Sequence, residues 1–282
     1  MKRQQLLLAS GGLVLVVVLF FFGKTVPPKS NTPAPVAQQP AQAATIQFSD
    51  LLFKAKQRLS PEQSERITRL ENGVTRGDVK EQQLHIYHQL ARFWKDSAHI
   101  FEPYAYYTSE AAKLENSEKN LTFAARLFLD QLMISNDPPM QNWLASNAKV
   151  LFDKALEINP SNDSSKIGLG ACYMLGNISD NPMQGILPVR EIAEKDPNNM
   201  YAQYILGLGG KKSGQYDKAI ERFKIIVDKQ PDNIEVELHL AECYDMKGDK
   251  EDAIKWYSAV KKKIANPNAQ KELDSRINSL KQ

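Results

Sequence analysis

Residues 46–282 are predicted to fold as an all-α solenoid of helical hairpins, preceded by one transmembrane helix and a disordered linker. Three observations carry this. The same residue types return at a spacing of 34 along the C-terminal half. Between these landmarks the apolar residues fall at helical intervals. Near the N-terminus, an uncharged run of 17 residues is followed by a proline-rich stretch.

The chain of 282 residues carries 36 Lys+Arg and 33 Asp+Glu, for a net charge of +3. Lys2, Arg3, Lys24 and Lys29 precede the first acid, Asp50, so 32 bases face 33 acids downstream of them. The basic excess belongs to the N-terminal segment, which argues against a cationic field for nucleic acid. A hydrophobic fraction of 42% and a charged fraction of 24% fit a folded core. Two cysteines exclude a disulfide scaffold and a multi-cysteine metal site.

Residues 1–24 form a short tail and an anchor. The run Leu6–Phe22 holds no charge, and at about 1.5 Å per residue it is just long enough to cross a bilayer core. No small-x-small cleavage site follows closely, and no cysteine stands where lipidation requires one, so the anchor is expected to remain uncleaved. A five-residue basic tail stays in the cytoplasm, which delivers the remainder across the membrane. Residues 25–46 carry five of the fifteen prolines, among Ala, Gln, Ser and Thr. Such a segment is a semi-extended tether.

From 47 to 134 the pattern predicts helices at about 48–59, 61–73, 77–96, 101–115 and 117–134, with Leu84, Tyr87, Ala91 and Trp94 on one face of the third. They lack the punctuation found later and read as degenerate or capping hairpins.

The repeat proper occupies 135–264. Leu206-Gly207, Gly214, Ala219-Ile220 and Phe223 return 34 residues later as Leu240-Ala241, Gly248, Ala253-Ile254 and Tyr257. Leu169-Gly170 precedes Leu206-Gly207 by 37 residues, and Ala148, Phe152 and Pro160 precede Ala219, Phe223 and Pro231 by 71. A small residue lets the paired helix cross closely, a glycine turns the chain, and Pro160, Pro197 or Pro231 ends the unit. Residues 265–282 carry Leu273, Ile277 and Leu280 on a closing helix, as solenoid ends require.

These residues resemble the tetratricopeptide repeat (TPR) pattern of L-G-x-x-Y, A-x-x-x-F and P over 34 residues. Glu237 and Gln203 depart from it at the usual Trp, Gly210 at the Tyr and Gly185 at the Ala. The resemblance implies a right-handed solenoid that binds a protein or peptide segment in the concave groove of its first helices. The corresponding positions are Ile167, Ala171 and Met174; then Tyr201, Tyr204, Leu208 and Lys211; then Leu238, Glu242 and Asp245. Two other readings stay open: these side chains belong to the core between repeats, or the terminal helix fills the groove. Ile167, Ala171, Tyr204 and Leu208 stand where chaperone-binding relatives carry a carboxylate clamp, so an acidic C-terminal tail is not an expected ligand.

No phosphate loop, dinucleotide fingerprint, nucleophile triad or zinc-protease motif is present. His85 and His88, with Glu81, have the spacing of metal ligands, but with Arg92 they form the polar face opposite Leu84 and Trp94. His99 and His239 have no evident partner in the sequence. Cys172 and Cys243 lie 71 residues apart at equivalent places, which predicts small buried packing residues two repeats from each other. No enzyme activity, cofactor, metal or small-molecule substrate is expected. The layout resembles single-span, membrane-anchored TPR proteins of the bacterial envelope. It implies an inner-membrane protein with a cytoplasmic N-terminus, a periplasmic repeat domain and a role in envelope assembly, secretion or maturation. A cytosol-facing import receptor is the competing placement, and a metal protein or enzyme within 47–134 is the remaining one.

Overall fold

A computed structural model describes residues 46–76 and 79–282, and among these every regular element is helical. The expected anchor Leu6–Phe22 and the linker through residue 45 lie outside the described residues. No described helix is long and apolar enough to cross a membrane.

The helices are α1 Phe48–Lys56, α2 Pro61–Arg76, α3 Lys80–Arg92, α4 Phe101–Glu115, α5 Glu118–Ile134, α6 Pro138–Ile158 and α7 Asp163–Leu175. They continue as α8 Met183–Lys195, α9 Met200–Lys212, α10 Tyr216–Lys229, α11 Ile234–Lys247, α12 Lys250–Lys263 and α13 Pro267–Leu280. From α2 onward each helix packs on the next, α1 packs on α4, and α7 also touches α5 and α9, so the first helices α5, α7 and α9 stack on one another. This is a solenoid of hairpins α5/α6, α7/α8, α9/α10 and α11/α12, with α13 as its cap.

Two devices set the hairpin boundaries. Pro160, Pro197 and Pro231 are each followed two residues later by an asparagine. The Oδ1 atoms of Asn162, Asn199 and Asn233 accept from the backbone N–H of Ser165, Ala202 and Val236 at 2.9, 3.0 and 3.2 Å. Proline ends one unit and asparagine caps the next, satisfying a donor the helix start leaves unpaired. Within the last two hairpins, Gly214 and Gly248 turn the chain at φ +73° and +86°, a left-handed conformation that costs other residues about 1–2 kcal/mol.

Three buried clusters hold the stack. The N-terminal one joins Ile67, Leu90, Phe93, Trp94 and Tyr107, with Phe48 of α1 stacked on Tyr106 at 3.5 Å. The middle one runs from Leu121 through Phe128, Leu144 and Phe152 to Ile205. The third joins Phe223, Leu240 and Tyr257 to Ile277 and Leu280 of the cap. Each fully buried side chain of this size contributes about 1.5–3 kcal/mol.

The structure differs from the expectation at two elements. α5 pairs intimately with α6, so the first hairpin of the array begins at Glu118 and spans the boundary drawn at 134. First helices start at 118, 163, 200 and 234. The long α6 stretches the first interval, which hides α5 from a search at 34. The third helix also does not run regularly to 96. It widens into a π turn at Phe93–Ser97, closed by Ala98 N–H donating to the Phe93 carbonyl at 3.0 Å, and His99 then adopts φ +54°.

A candidate docking face on the first helices

The ten expected groove residues do not form one exposed surface. Ile167, Ala171 and Met174 are buried, with 1%, 0% and 9% exposure. The reason is packing: α7 is held by α5, α6, α8 and α9 together, and Tyr201, Tyr204 and Leu208 close over the same core. At α7 the reading as inter-repeat core is the correct one.

The other seven, Tyr201, Tyr204, Leu208, Lys211, Leu238, Glu242 and Asp245, are partly buried on α9 and α11, with the Asp245 side chain nearly covered. Their polar groups are engaged in a ladder between first helices. Tyr204 Oη donates to Glu235 Oε1 at 2.6 Å. Lys211 Nζ pairs with Glu242 and lies 3.1 Å from His239 Nδ1, which is itself 3.1 Å from Glu242 Oε2. Asp245 receives a two-pronged contact from Arg276 of the cap, at 2.6 and 2.5 Å, and the Tyr257 hydroxyl at 3.0 Å. His239 therefore has partners that its sequence neighbourhood did not reveal. Its ring also stacks on Phe223 at 5.6 Å.

The electrostatics follow from these contacts. Burial alone would raise the Glu242 carboxyl, but the hydrogen bonds from His239 and Lys211 outweigh it and hold Glu242 below the usual glutamate value. The Arg276 hydrogen bonds hold Asp245 below the usual aspartate value. Burial, then donation to Glu235, pushes the Tyr204 hydroxyl up. Glu242, Asp245 and Tyr204 are thereby each held in one charge state near neutrality, which suits recognition.

Sequence reading missed Arg126 and Asp130 on α5. Both are exposed, and the Arg126 guanidinium lies 5.7 Å from the Tyr201 ring centroid. With α5 assigned outside the array, nothing in the spacing pointed to them. The other flagged residues stay apart. His85 Nε2 faces Gln89 at 2.8 Å while His88 Nε2 faces Glu115 at 2.9 Å, and no group of three metal-ligating side chains gathers among the described residues. Cys172 and Cys243 are free and buried.

The family model described as tetratricopeptide repeat matches residues 212–276. Among solved structures, a MamA protein is 18% identical at a TM-score of 0.44, over 64% of this chain and 91% of that one. MamA from Desulfovibrio magneticus RS-1 is 21% identical at 0.44, over 66% and 96%. Sequence match and hairpin arrangement agree from the end of α9 into the cap: residues 212–276 carry tetratricopeptide repeats.

Proposed function

We propose that this protein is a membrane-tethered TPR scaffold of the bacterial envelope, without catalytic activity of its own. Leu6–Phe22 holds it in the inner membrane with the N-terminus in the cytoplasm, and the proline-rich linker lets the array reach a protein segment in the periplasm. The half-exposed stripe Tyr201, Tyr204, Leu208 and Leu238 carries this reading, because aromatic and aliphatic side chains kept at a surface mark a docking face. Tethering confines the array near other membrane components and raises their effective concentration.

A photo-crosslinker placed at Tyr204 or Leu208 in intact cells tests the docking face. A defined protein captured from these positions supports it. Capture only from Lys218 or Lys255, on the second helices, refutes it. Protease accessibility of the C-terminus in spheroplasts tests the placement: protection there would put the array in the cytoplasm.

A further inference from the structure

The N-terminal hairpins hold a second surface that the repeat pattern does not foretell. A cleft of about 380 Å³ opens between α3, α4 and α5. Three alanines, Ala91, Ala111 and Ala112, are buried along its walls, and their small side chains leave room for a bulky apolar group. Phe123 of α5 stands at the opening with 54% of its surface exposed. Arg92 and Lys95 line the same cleft, both exposed. The Lys95 ammonium lies 5.6 Å from the Tyr104 ring centroid.

The charge balance is one-sided. Among the described residues Glu115 is the sole carboxylate lining the cleft, and it is occupied by His88 at 2.9 Å and by the Asn120 amide. Among the described residues, neither Arg92 nor Lys95 has an ion-pair partner. Along α5, Lys119 and Arg126 lie four residues before and three after Phe123, so they flank it on one helix face, and both are exposed. Asp130 ends that stripe. The cleft thus joins an apolar recess, an exposed aromatic ring and unpaired cations.

We propose that this cleft binds an acidic, amphipathic segment of a partner protein. A bulky apolar side chain enters between the alanines beside Phe123, and flanking carboxylates meet Arg92 and Lys95. The recess is walled by three helices, a shape suited to an inserted side chain rather than to a flat lipid headgroup plane. Arg126, beside Tyr201, borders both surfaces, but the cleft's own residues lie on α3, α4 and α5, and the proposal stands whether or not the α9–α11 face docks anything.

The test uses the full chain in detergent micelles and a fluorescein-labelled helical peptide with leucine and phenylalanine on one face and glutamate on the other. Micelles without protein set the baseline, so partition of the peptide into detergent is subtracted. Anisotropy should show saturable binding that weakens with salt and drops about tenfold on double charge reversal, the worth of two exposed ion pairs together. Phe123→Ser should weaken it too, Arg92→Gln/Lys95→Gln should fall between, and Lys218→Glu/Lys255→Glu should change nothing. Circular dichroism of each variant confirms folding. Equal binding of a peptide with lysine for glutamate, no saturable binding, or insensitivity to charge reversal would overturn the proposal. So would co-sedimentation with phosphatidylglycerol–phosphatidylcholine vesicles that charge reversal abolishes while peptide affinity stays unchanged, because the site would then be a lipid site.

Discussion

Gly207→Ala sets two effects of opposite sign against each other. Gly207 lies inside α9, where replacing glycine with alanine favours the helix by about 1 kcal/mol. A Cβ built there, however, comes within 2.5, 2.8 and 2.9 Å of three atoms of the Phe223 ring. That ring is fully buried and backed by His239 at 5.6 Å, so it has nowhere to withdraw. Overpacking of a rigid core costs about 1–3 kcal/mol, and with three ring atoms affected the upper part of that range applies. The net expectation is a loss of about 1–2 kcal/mol, or roughly 2–8 °C in the melting temperature of a chain this size. Gly209→Ala, two residues along the same helix, supplies the control. Its new Cβ meets the Met174 sulfur at 2.7 Å, and a flexible thioether yields where a ring does not, so this variant should melt at or above wild type. Thermal unfolding by far-UV circular dichroism compares the two. If Gly207→Ala is stabilised like Gly209→Ala, close helix crossing is not what the repeat's small residue provides.

Asp245→Asn should remove an acid-sensitive contribution. Asp245 is held below its unfolded value of about 3.9, so its pairing stabilises the fold above that pH and is lost as pH falls through the lower folded value. The wild type should therefore lose its advantage over the variant on acid titration, and equal stability at every pH would count against the Arg276 contact. Burial pushes both cysteine thiols up, Cys243 to about 11. Neither should react with a thiol reagent in mildly alkaline buffer until denaturant is added, and rapid labelling of the folded chain would contradict their burial. Glu237 is 3% exposed, with Oε1 on Lys263 Nζ at 2.6 Å and Oε2 unpartnered. Lys263→Ala should cost about 1–3 kcal/mol, less than a fully buried pair because Lys263 is partly solvated, while Glu237→Leu should cost little or nothing. Chemical denaturation ranks them, and the reverse order would refute the reasoning.

Where the chain repeats closely, local sequence specifies structure and was readable. Pro197, Gly207, Gly214, Phe223 and Pro231 each perform a backbone or packing task that few residues can perform, so spacing alone locates α9 and α10. The helix starts at 48, 61 and 101 also fall where the pattern puts them. Two features were not. The partnership of α5 with α6 depends on Leu121, Ala124 and Phe128 packing against Trp143, Leu144 and Ala148, and no punctuating residue announces it. Groove exposure was illegible for a different reason. A first-helix position is open or closed according to how many neighbours stack on it, so Ile167 is closed within α7 while Leu238, at the same place in α11, stays half-exposed. Periodicity gives equivalent positions and carries no information about that difference.

The ladder on the first helices bears on where recognition resides. Tyr204–Glu235, Lys211–Glu242 and Asp245–Arg276 each join residues 31 apart, linking one first helix to the next by the same geometric step. The sign alternates along it: a cation on α9 meets an acid on α11, and an acid on α11 meets a cation on the cap. A slip of one helix by a turn would break such pairs, so the ladder favours one stacking register. It also uses the charges that a partner would otherwise find, because Glu242 and Asp245 are already neutralised by Lys211 and Arg276. What remains for docking on α9 and α11 is their apolar and aromatic stripe, so binding there should be weakly salt-dependent. The N-terminal cleft is the opposite case, since among the described residues Arg92 and Lys95 have no ion-pair partner and Phe123 is exposed beside them. Affinity that falls steeply with ionic strength belongs to the cleft, and affinity that hardly responds belongs to the stripe. The two surfaces are thereby separable in one titration of the same chain.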